Sequence, residues 1–257
     1  MEYDVSITRA CKLMDIHRSY FYYTEKKDDS EVEAVIRNAA EFVDGFWKIF
    51  HRLRREGYTW NHKKVYRVYK QMHYEKQSKL KKRLPARVKS PLVIPSESNE
   101  TWSIDFVSDK LQNGRAFRVL NIIDDCDRVA VGQEISMSMP AERVIKLLEK
   151  VIWLNAKSKN IRCDNGPEFI SKVFQKWCKG NDIKVIYIQP GHPTQNSIIE
   201  RFNGSYRRAV LDVYIFRTLN DVREQAEAWM IDYNECRPHE SLDNMTPMEY
   251  RQKRKAC

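Results

Sequence analysis

Apolar side chains recur at helical spacing in the stretch that follows Gly45. They predict one helix that ends at Gly57 and a second helix that the side chain of Asn61 caps. The apolar positions of the two helices are Phe46, Ile49, Phe50 and Leu53, then Val65, Val68, Tyr69 and Met72. Two helices joined by a short turn that contains glycine are typical of a helix-turn-helix module.

The second helix of this pair also carries a basic face. Lys63, Arg67 and Lys70 repeat at i, i+4 and i+7, so their side chains lie on one side of the helix. This face is predicted to contact DNA. The alternative is a basic surface that only meets solvent.

Two shorter helices are predicted before the pair. Ser6 can cap a helix that ends at Leu13, and residues 15–23 form a second one that ends in aromatic side chains. They make either a small helix-turn-helix or a helical hairpin that packs on a neighbouring domain, and the pattern leaves both open. Residues 31–42 are acidic and compatible with a further helix.

The pattern becomes strand-like after residue 100. Three short runs, 101–107, 117–123 and 129–135, predict an antiparallel meander whose turns include Asp124 and Asp125. Helices and strands then alternate: a helix at 141–153, a strand at 160–163, a helix at 168–179, a strand at 183–188, and a last helix from Ser197 to about Tyr214. This order is that of an α/β ribonuclease-H-like core, a mixed five-stranded sheet flanked by helices.

The chain is therefore predicted to have five parts. A stretch rich in Lys and Arg, broken by prolines, separates the helix pair from the strands and has the composition of a linker. The parts are a short N-terminal helical segment (1–40), a helix-turn-helix-like DNA-binding module (41–75), a basic linker (76–99), the ribonuclease-H-like core (100–216) and a C-terminal helical tail (217–257).

Charge sharpens the expectation of a nucleic-acid partner. The formal net charge is +10, with 45 Lys and Arg against 35 Asp and Glu. Between residues 41 and 99 fifteen Lys or Arg face five Asp or Glu, so the whole surplus falls in the module and the linker. A surplus confined to one stretch favours a polyanion such as DNA.

The spacing of the cysteines and histidines argues against two kinds of structural cross-link. The six cysteines include no Cys-x-x-Cys pair, and the six histidines do not follow zinc-binding spacing, so neither a disulfide framework nor a structural zinc site is expected. No run of about 18 apolar residues and no N-terminal leader pattern occurs, so export and membrane insertion are not expected.

Three acids stand at positions where chemistry is plausible. Asp105 lies in the middle of a predicted strand, Asp164 directly follows another, and Glu200 lies on the last predicted helix. Each alone has an ordinary explanation, a turn or a surface charge for example. Together they match the need of phosphodiester chemistry for several carboxylates, brought from separate elements, around two divalent ions about 4 Å apart.

The acids and their surroundings resemble a known family. Thirty-five residues separate Asp164 from Glu200, as in the Asp-Asp-Glu transposases and retroviral integrases. The closer resemblance is to the second-frame, OrfB-type proteins of the insertion-sequence-three family. The motifs that carry it are Trp-Ser-Ile-Asp-Phe at 102–106, Asp-Asn-Gly-Pro-Glu-Phe at 164–169, Pro-Thr-Gln-Asn at 193–196, Ile-Glu-Arg-Phe-Asn-Gly-Ser-Tyr-Arg at 199–207, and the segment at 233–247.

The resemblance implies an enzyme that cleaves DNA at the ends of an insertion sequence and joins them to target DNA. Asp105, Asp164 and Glu200 would be catalytic and would ligate two Mg²⁺ or Mn²⁺ ions. Asn203 and Arg207, at i+3 and i+7 from Glu200, would share its helix face and meet DNA. Glu168 is a possible fourth carboxylate, and its alternative is a charge in the first turn of a helix.

The resemblance also implies partners and a location. DNA would be bound by a homo-oligomer, with an upstream-frame, OrfA-type partner or fusion, in the bacterial cytoplasm at the nucleoid. The sequence departs from the family at three places: Ala156 and Ser158 replace a usual Gly and Pro, and His192 stands where Lys is common. Two alternatives remain open, a ribonuclease-H-like nuclease that does not join strands and an inactive DNA-binding relic.

Overall fold

The computed structural model describes residues 5–22, 28–40, 45–75, 94–189 and 193–255. Within these ranges the chain forms a helical N-terminal part and a five-stranded sheet covered by helices. No helix in the same ranges is long and apolar enough to cross a membrane. Most of the predicted basic linker lies outside the described residues, and so does His192.

In the described part of the chain five helices precede the sheet: α1 (Ile7–Leu13), α2 (Arg18–Phe21), α3 (Ser30–Ala39), α4 (Phe46–Arg55) and α5 (His62–Gln71). Both predicted caps are present. The side chains of Ser6 and Asn61 accept hydrogen bonds from the backbone N–H groups of Arg9 and Lys63, at 3.4 and 2.9 Å. Helix α2 is shorter than the segment predicted for it at 15–23.

Helices α3, α4 and α5 share one hydrophobic core. Ile36, Ile49, Leu53 and Val68 are at most 1% exposed within it. Helix α3 contacts both of the other helices. The helix pair predicted from the sequence is thus part of a three-helix unit, because the apolar face of α3 completes its core.

The sheet contains β1 (Thr101–Lys110), β2 (Ala116–Asp124), β3 (Ala130–Ser136), β4 (Asn160–Cys163) and β5 (Lys184–Tyr187), in the order β3-β2-β1-β4-β5. The first three strands form the antiparallel meander that the sequence predicts, and β4 and β5 run parallel to β1. Strand β1 is therefore central, with an antiparallel neighbour on one side and a parallel neighbour on the other.

Helices cover both faces of this sheet. They are α6 (Ala141–Asn155), α7 (Pro167–Ile170), α8 (Lys172–Gly180), α9 (Ser197–Tyr206), α10 (Leu219–Ile231) and α11 (Pro247–Lys255). Trp102, Leu148 and Phe174 belong to the core beneath α6 and α8, whereas Tyr206 and Trp229 belong to the core beneath α9 and α10. The sheet thus separates two hydrophobic cores.

Two of the predicted helices are interrupted. The helix predicted at 168–179 breaks at Ser171, whose extended backbone and side-chain hydrogen bond to the N–H of Phe174 start α8. The helix predicted to run from Ser197 to about Tyr214 changes to a π-helical turn at Arg207–Leu211 and ends there. Both changes alter which side chains share a face.

Buried ion pairs attach the C-terminal helices to the rest of the chain. Asp124, predicted only as a turn residue, is fully buried beside Asp127. Both accept hydrogen bonds from Arg251 of α11, at 3.0 and 2.6 Å. Arg52 of α4 pairs with Asp232 at 2.6 Å. The C-terminal helices are thereby joined to the sheet and also to the N-terminal helices.

The turn after α6 shows a physical consequence of the sequence departures. Ala156 has φ +76° and ψ 164°, a conformation that is essentially restricted to glycine. Two residues later the hydroxyl of Ser158 is buried without a hydrogen-bond partner among the described residues. The two residues that replace a usual Gly and Pro therefore both have an energetic cost in this turn.

We expect Ala156→Gly to stabilise the protein, because glycine adopts this backbone conformation without a clash of Cβ. Relief of such strain is worth about 1 to 2 kcal/mol. Chemical denaturation measures the free energy of unfolding. Ala228→Gly on the exposed face of α10 is the matched control and should cost about 1 kcal/mol. Destabilisation by both substitutions would contradict the strain assigned to Ala156.

Candidate active site

Asp105 lies in the middle of β1, the central strand, and its side chain is partly buried. One carboxylate oxygen accepts a hydrogen bond from the N–H of Phe106 at 2.8 Å. The other oxygen accepts one from Nδ2 of Asn203 at 2.8 Å. Because Asn203 belongs to α9, this second bond joins the helix to the central strand at Asp105.

Asp164 directly follows β4, the parallel neighbour of β1. Ser103 of β1 is paired with Arg162 of β4, and the same register continued by two residues places Asp164 beside Asp105. The carboxylate accepts a hydrogen bond from the N–H of Gly166 at 2.9 Å. A Cβ on Gly166 would lie 2.9 Å from that oxygen, so only glycine permits this close approach.

Glu200 lies in the first turn of α9, three residues before Asn203, and is exposed. Burial, together with the negative charges of Asp164 and Glu200, raises the pKa of Asp105 to about 6, although hydrogen bonds from Phe106 and Asn203 oppose the shift. The structure thus brings the three acids predicted from the sequence into one electrostatic neighbourhood. No three Asp, Glu, His or Cys side chains in the described part of the chain are close enough to form a metal-ligand cluster.

A chain of amide side chains supports Asp105 from within the fold. Asn203 accepts a hydrogen bond from Asn121 of β2 at 2.8 Å, and Asn121 in turn accepts one from Gln133 of β3 at 2.8 Å. Asn121 is fully buried and is paired with Asp105 in the sheet register. Sequence reasoning missed Asn121, although a polar residue inside the apolar run 119–123 was a usable signal.

This network changes the interpretation of Asn203. The sequence predicted a side chain that meets DNA, but Asn203 is only 8% exposed and its amide is committed to Asp105 and Asn121. Asn203 lies one turn after Glu200 on the same face of α9, as its i+3 spacing predicts. That face is packed against the sheet at this point, so the amide holds Asp105 in place.

Glu168 follows Asp164 by four residues in the chain but makes different contacts. It belongs to the first turn of α7 and forms an ion pair with Arg118. The guanidinium of Arg118 also lies over the ring of Phe106, 3.8 Å from its centre. Oε2 of Glu168 is buried without a hydrogen-bond partner in the described ranges. Glu168 thus combines the helix-terminal position that we expected with an ion pair that the sequence does not show.

Arg207 is held by the end of β1. Its guanidinium donates a hydrogen bond to the carbonyl of Ser108 at 2.7 Å and lies 4.0 Å from Asp109 and 3.8 Å from Asp212. Two nearby carboxylates therefore offset part of its positive charge. Because the helix changes to a π-helical turn at Arg207, the i+7 relationship to Glu200 no longer defines the direction of this side chain.

The predicted basic face on α5 is only partly available. Lys63 and Lys70 are exposed; Lys70 forms an exposed ion pair with Glu75 at 3.5 Å, and its ammonium lies over the ring of Tyr66, 5.7 Å from the ring centre. Arg67 pairs with Asp29 at 2.7 Å. Trp47 and Tyr66, which are 60% and 42% exposed, line the same shallow cleft as the two lysines. The face therefore combines positive charge with exposed aromatic rings, a combination suited to nucleic acid.

We expect Asp105→Asn to gain stability relative to the unsubstituted protein as the pH rises when divalent cations are absent, because an amide does not ionise, although it keeps only one of the two oxygens that accept hydrogen bonds. The pKa of Asp105 in the fold, about 6, lies above its ordinary 3.8, so the folded state favours the protonated carboxyl. That contribution is present below pH 3.8 and is lost as the pH rises through about 6. The gain from Asn at neutral pH is at most roughly 3 kcal/mol.

Urea unfolding in EDTA, at about pH 7.5 and about pH 4, measures this effect. The advantage of Asp105→Asn should be present at the higher pH and nearly vanish at the lower one. Glu142→Gln, at an exposed position on α6, is the control. A stability difference between Asp105→Asn and the unsubstituted protein that is the same at both pH values would contradict the unfavourable effect of burial and neighbouring charge on the ionised Asp105 carboxylate.

Comparison with known proteins identifies the family of the chain. Two family models, each described as Integrase core domain, match residues 95–193 and 181–247. The chain is 34% identical over 258 residues to the insertion element IS407 uncharacterized 31.7 kDa protein of Burkholderia multivorans, covering 98% of this chain and 93% of that protein. It is 24% identical over 260 residues to the putative transposase InsK for insertion sequence element IS150 of Escherichia coli, covering 92% and 90%.

The fold is also found among solved structures. A chain of the simian T-cell lymphotropic virus intasome, solved in complex with PP2A regulatory subunit B56 gamma, superposes with a TM-score of 0.54 at 17% identity, covering 77% of this chain and 69% of that one. The ribonuclease-H-like α/β fold predicted from the order of elements is confirmed. The chain belongs to the insertion-element transposases with an integrase core domain, a family of polynucleotidyl transferases.

Proposed function

We propose that this transposase cleaves DNA at the ends of an insertion element and joins the freed strands to target DNA through Asp105, Asp164 and Glu200. The observation that carries the assignment is electrostatic. Burial raises the pKa of Asp105 in β1, and the charges of Asp164 at the end of β4 and of Glu200 on α9 lie near enough to raise it further. Such a group of like charges is unfavourable by itself and suits the binding of cations.

The donor chemistry of the site fits hard divalent cations. The three side chains offer carboxylate oxygens, which Mg²⁺ and Mn²⁺ prefer. None of the three is a cysteine or a histidine. Asp105, Asp164 and Glu200 would hold two such ions. When bound, the ions supply activation of the attacking oxygen and neutralisation of charge on the leaving oxygen.

Three neighbouring groups hold the carboxylates of Asp105 and Asp164 in position. Asn203 orients one oxygen of Asp105, and Asn121 keeps Asn203 in that orientation. The N–H of Gly166 holds one oxygen of Asp164. Buried hydrogen-bonded side chains of this kind restrict the rotamers of the groups that they contact. The site is therefore partly preorganised.

The proposed reaction needs no nucleophile from the protein. Water attacks the phosphodiester at the element end and releases a 3′-hydroxyl, which then attacks a phosphodiester of the target. The thiol nearest the site does not favour a covalent alternative: burial and the charge of Asp164 raise the pKa of Cys163, so the thiol stays protonated. Both steps are direct transfers between water, sugar hydroxyls and phosphates.

The chain would bind DNA through additional surfaces and partners. Lys63 and Lys70 on α5 are the exposed cations that support a DNA-binding role for the N-terminal module. Arg67 would contribute only after exchanging Asp29 for a phosphate. By family resemblance, the protein would work as a homo-oligomer on DNA, with an upstream-frame partner or fusion.

Loss of any one of the three acids should abolish both reactions. We expect Asp105→Asn, Asp164→Asn and Glu200→Gln to reduce end cleavage, and the joining of pre-cut ends, to background in Mg²⁺, because each removes a ligand charge and preserves side-chain volume. Gel assays with labelled end DNA measure both steps. Glu227→Gln, at an exposed position on α10, should retain full activity.

The same assays separate the alternatives. Cleavage without joining by the unsubstituted protein would indicate a nuclease, and the absence of both reactions with normal DNA binding would indicate an inactive relic. Activity retained by one variant would remove that acid from the site.

The two exposed lysines of α5, Lys63 and Lys70, are expected to contact DNA phosphates. Because each phosphate contact contributes about 0.9 to the slope of log affinity against log salt, Lys63→Ala with Lys70→Ala should reduce that slope by about 2. Fluorescence anisotropy with duplex DNA at several salt concentrations measures it. The control pair is Lys146→Ala with Lys150→Ala on the exposed face of α6. Equal slopes for the two pairs would refute DNA contact at α5.

A further inference from the structure

A second basic site lies on the flank of α9 away from Asp105. It is a cavity of about 220 Å³ between α4, α9 and the segment that follows α10. Ser197, Arg201 and Ser205 face it at i, i+4 and i+8, so one side of α9 forms a wall. Glu200 and Asn203 do not line it.

Four cations from separate parts of the chain line this cavity, and no Asp or Glu is among the described residues of its wall. They are Lys48 from α4, Arg128 from the β2–β3 turn, Arg201 from α9 and Arg237 from the segment after α10. A concentration of basic side chains around one small space suits an anionic ligand, although the Asp125 carboxylate lies close enough to Arg128 to offset part of its charge. The arrangement therefore indicates an anionic ligand.

His239 supplies a second, independent indication. Its ring is hydrogen-bonded to the backbone of Tyr233, while Nε2 is buried without a hydrogen-bond partner among the described residues. Burial and the charges of Arg237, Lys48 and Arg128 lower the pKa of His239 to about 3. A bound anion would offset those charges and accept a hydrogen bond from protonated Nε2. Nε2 of this imidazole is thus a buried polar atom whose hydrogen bond the described residues do not supply.

The dimensions and donors select the class of anion. Guanidinium groups match the oxygens of a phosphate with paired N–H donors, and the Ser197 and Ser205 hydroxyls add donors of the same kind. A cavity of about 220 Å³ accommodates one phosphate and its adjoining sugar, but not a duplex. The cavity therefore fits a single phosphate presented by a strand.

We propose that this cavity binds one backbone phosphate of the DNA on which the enzyme acts, and so positions that strand against α9. The assignment rests on the proposed function, because it takes DNA as the source of the phosphate. Arg201 directly follows Glu200 in the chain. One rigid helix would therefore hold a phosphate bound by Arg201 at a fixed distance from the catalytic acids.

The test compares Arg201 of α9 with Arg208 of the π-helical turn that follows this helix. Arg201→Ala should weaken duplex DNA binding about tenfold or more, since one charge-assisted phosphate contact is lost. Arg208→Ala is the matched control, because Arg208 is exposed and does not line the cavity. Affinities are measured in EDTA at one salt concentration, and thermal unfolding of both variants checks that the fold is retained. Arg201→Lys should restore part of the affinity.

A second measurement uses inorganic phosphate as the probe. NMR titration of His239 in the full chain should show its pKa rising with phosphate, and not with chloride at equal ionic strength. Arg201→Ala should weaken this response. A phosphate response without any difference between Arg201→Ala and Arg208→Ala in DNA binding would reject DNA as the ligand. Absence of both effects would reject the site altogether.

These measurements are independent of catalysis. If the protein binds DNA with the expected difference between the two arginines but fails to cleave it, the proposed reaction fails and the phosphate site stands. If the protein cleaves DNA and the two variants bind alike, the reaction stands and the phosphate site fails.

Discussion

The hydrogen bond from Asn203 to Asp105 is the interaction on which the geometry of the site depends. It joins α9, which carries Glu200, to the central strand. Three carboxylates near one another repel, so they persist only where other contacts oppose the repulsion. The amides of Asn121 and Gln133 extend this support across the meander, and they link the position of Asp105 to the pairing of three strands.

Parallel pairing supplies the third acid. The crossover through α6 returns the chain as β4 beside β1, in a register that places Asp164 level with Asp105. The Asp-Asn-Gly sequence then turns the chain away, and Gly166 allows its N–H to reach the Asp164 carboxylate. Strand register and the turn after β4 together therefore determine the position of Asp164. Helix α9 determines the position of Glu200.

Helix α9 separates two environments with different charge. Its face toward β1 carries Glu200 and Asn203 among carboxylates, and its flank carries Arg201 among cations from three other segments. A helix is rigid over this length, so ligands held on the two sides stay in fixed relation to each other. Buried ion pairs such as Arg52 with Asp232 hold the surrounding segments together.

The sequence by itself determined the local features and singled out Asp105, Asp164 and Glu200 as the candidate acids. Caps at Ser6 and Asn61, the strand meander and the spacing from Asp164 to Glu200 are set within short stretches, where periodicity and side-chain type act directly. Only the tertiary structure decided that Asn203 donates a hydrogen bond to Asp105, that Asp124 is buried, and that four distant cations line one cavity. Burial and electrostatic environment depend on which distant segments pack together, and a linear pattern does not contain that information.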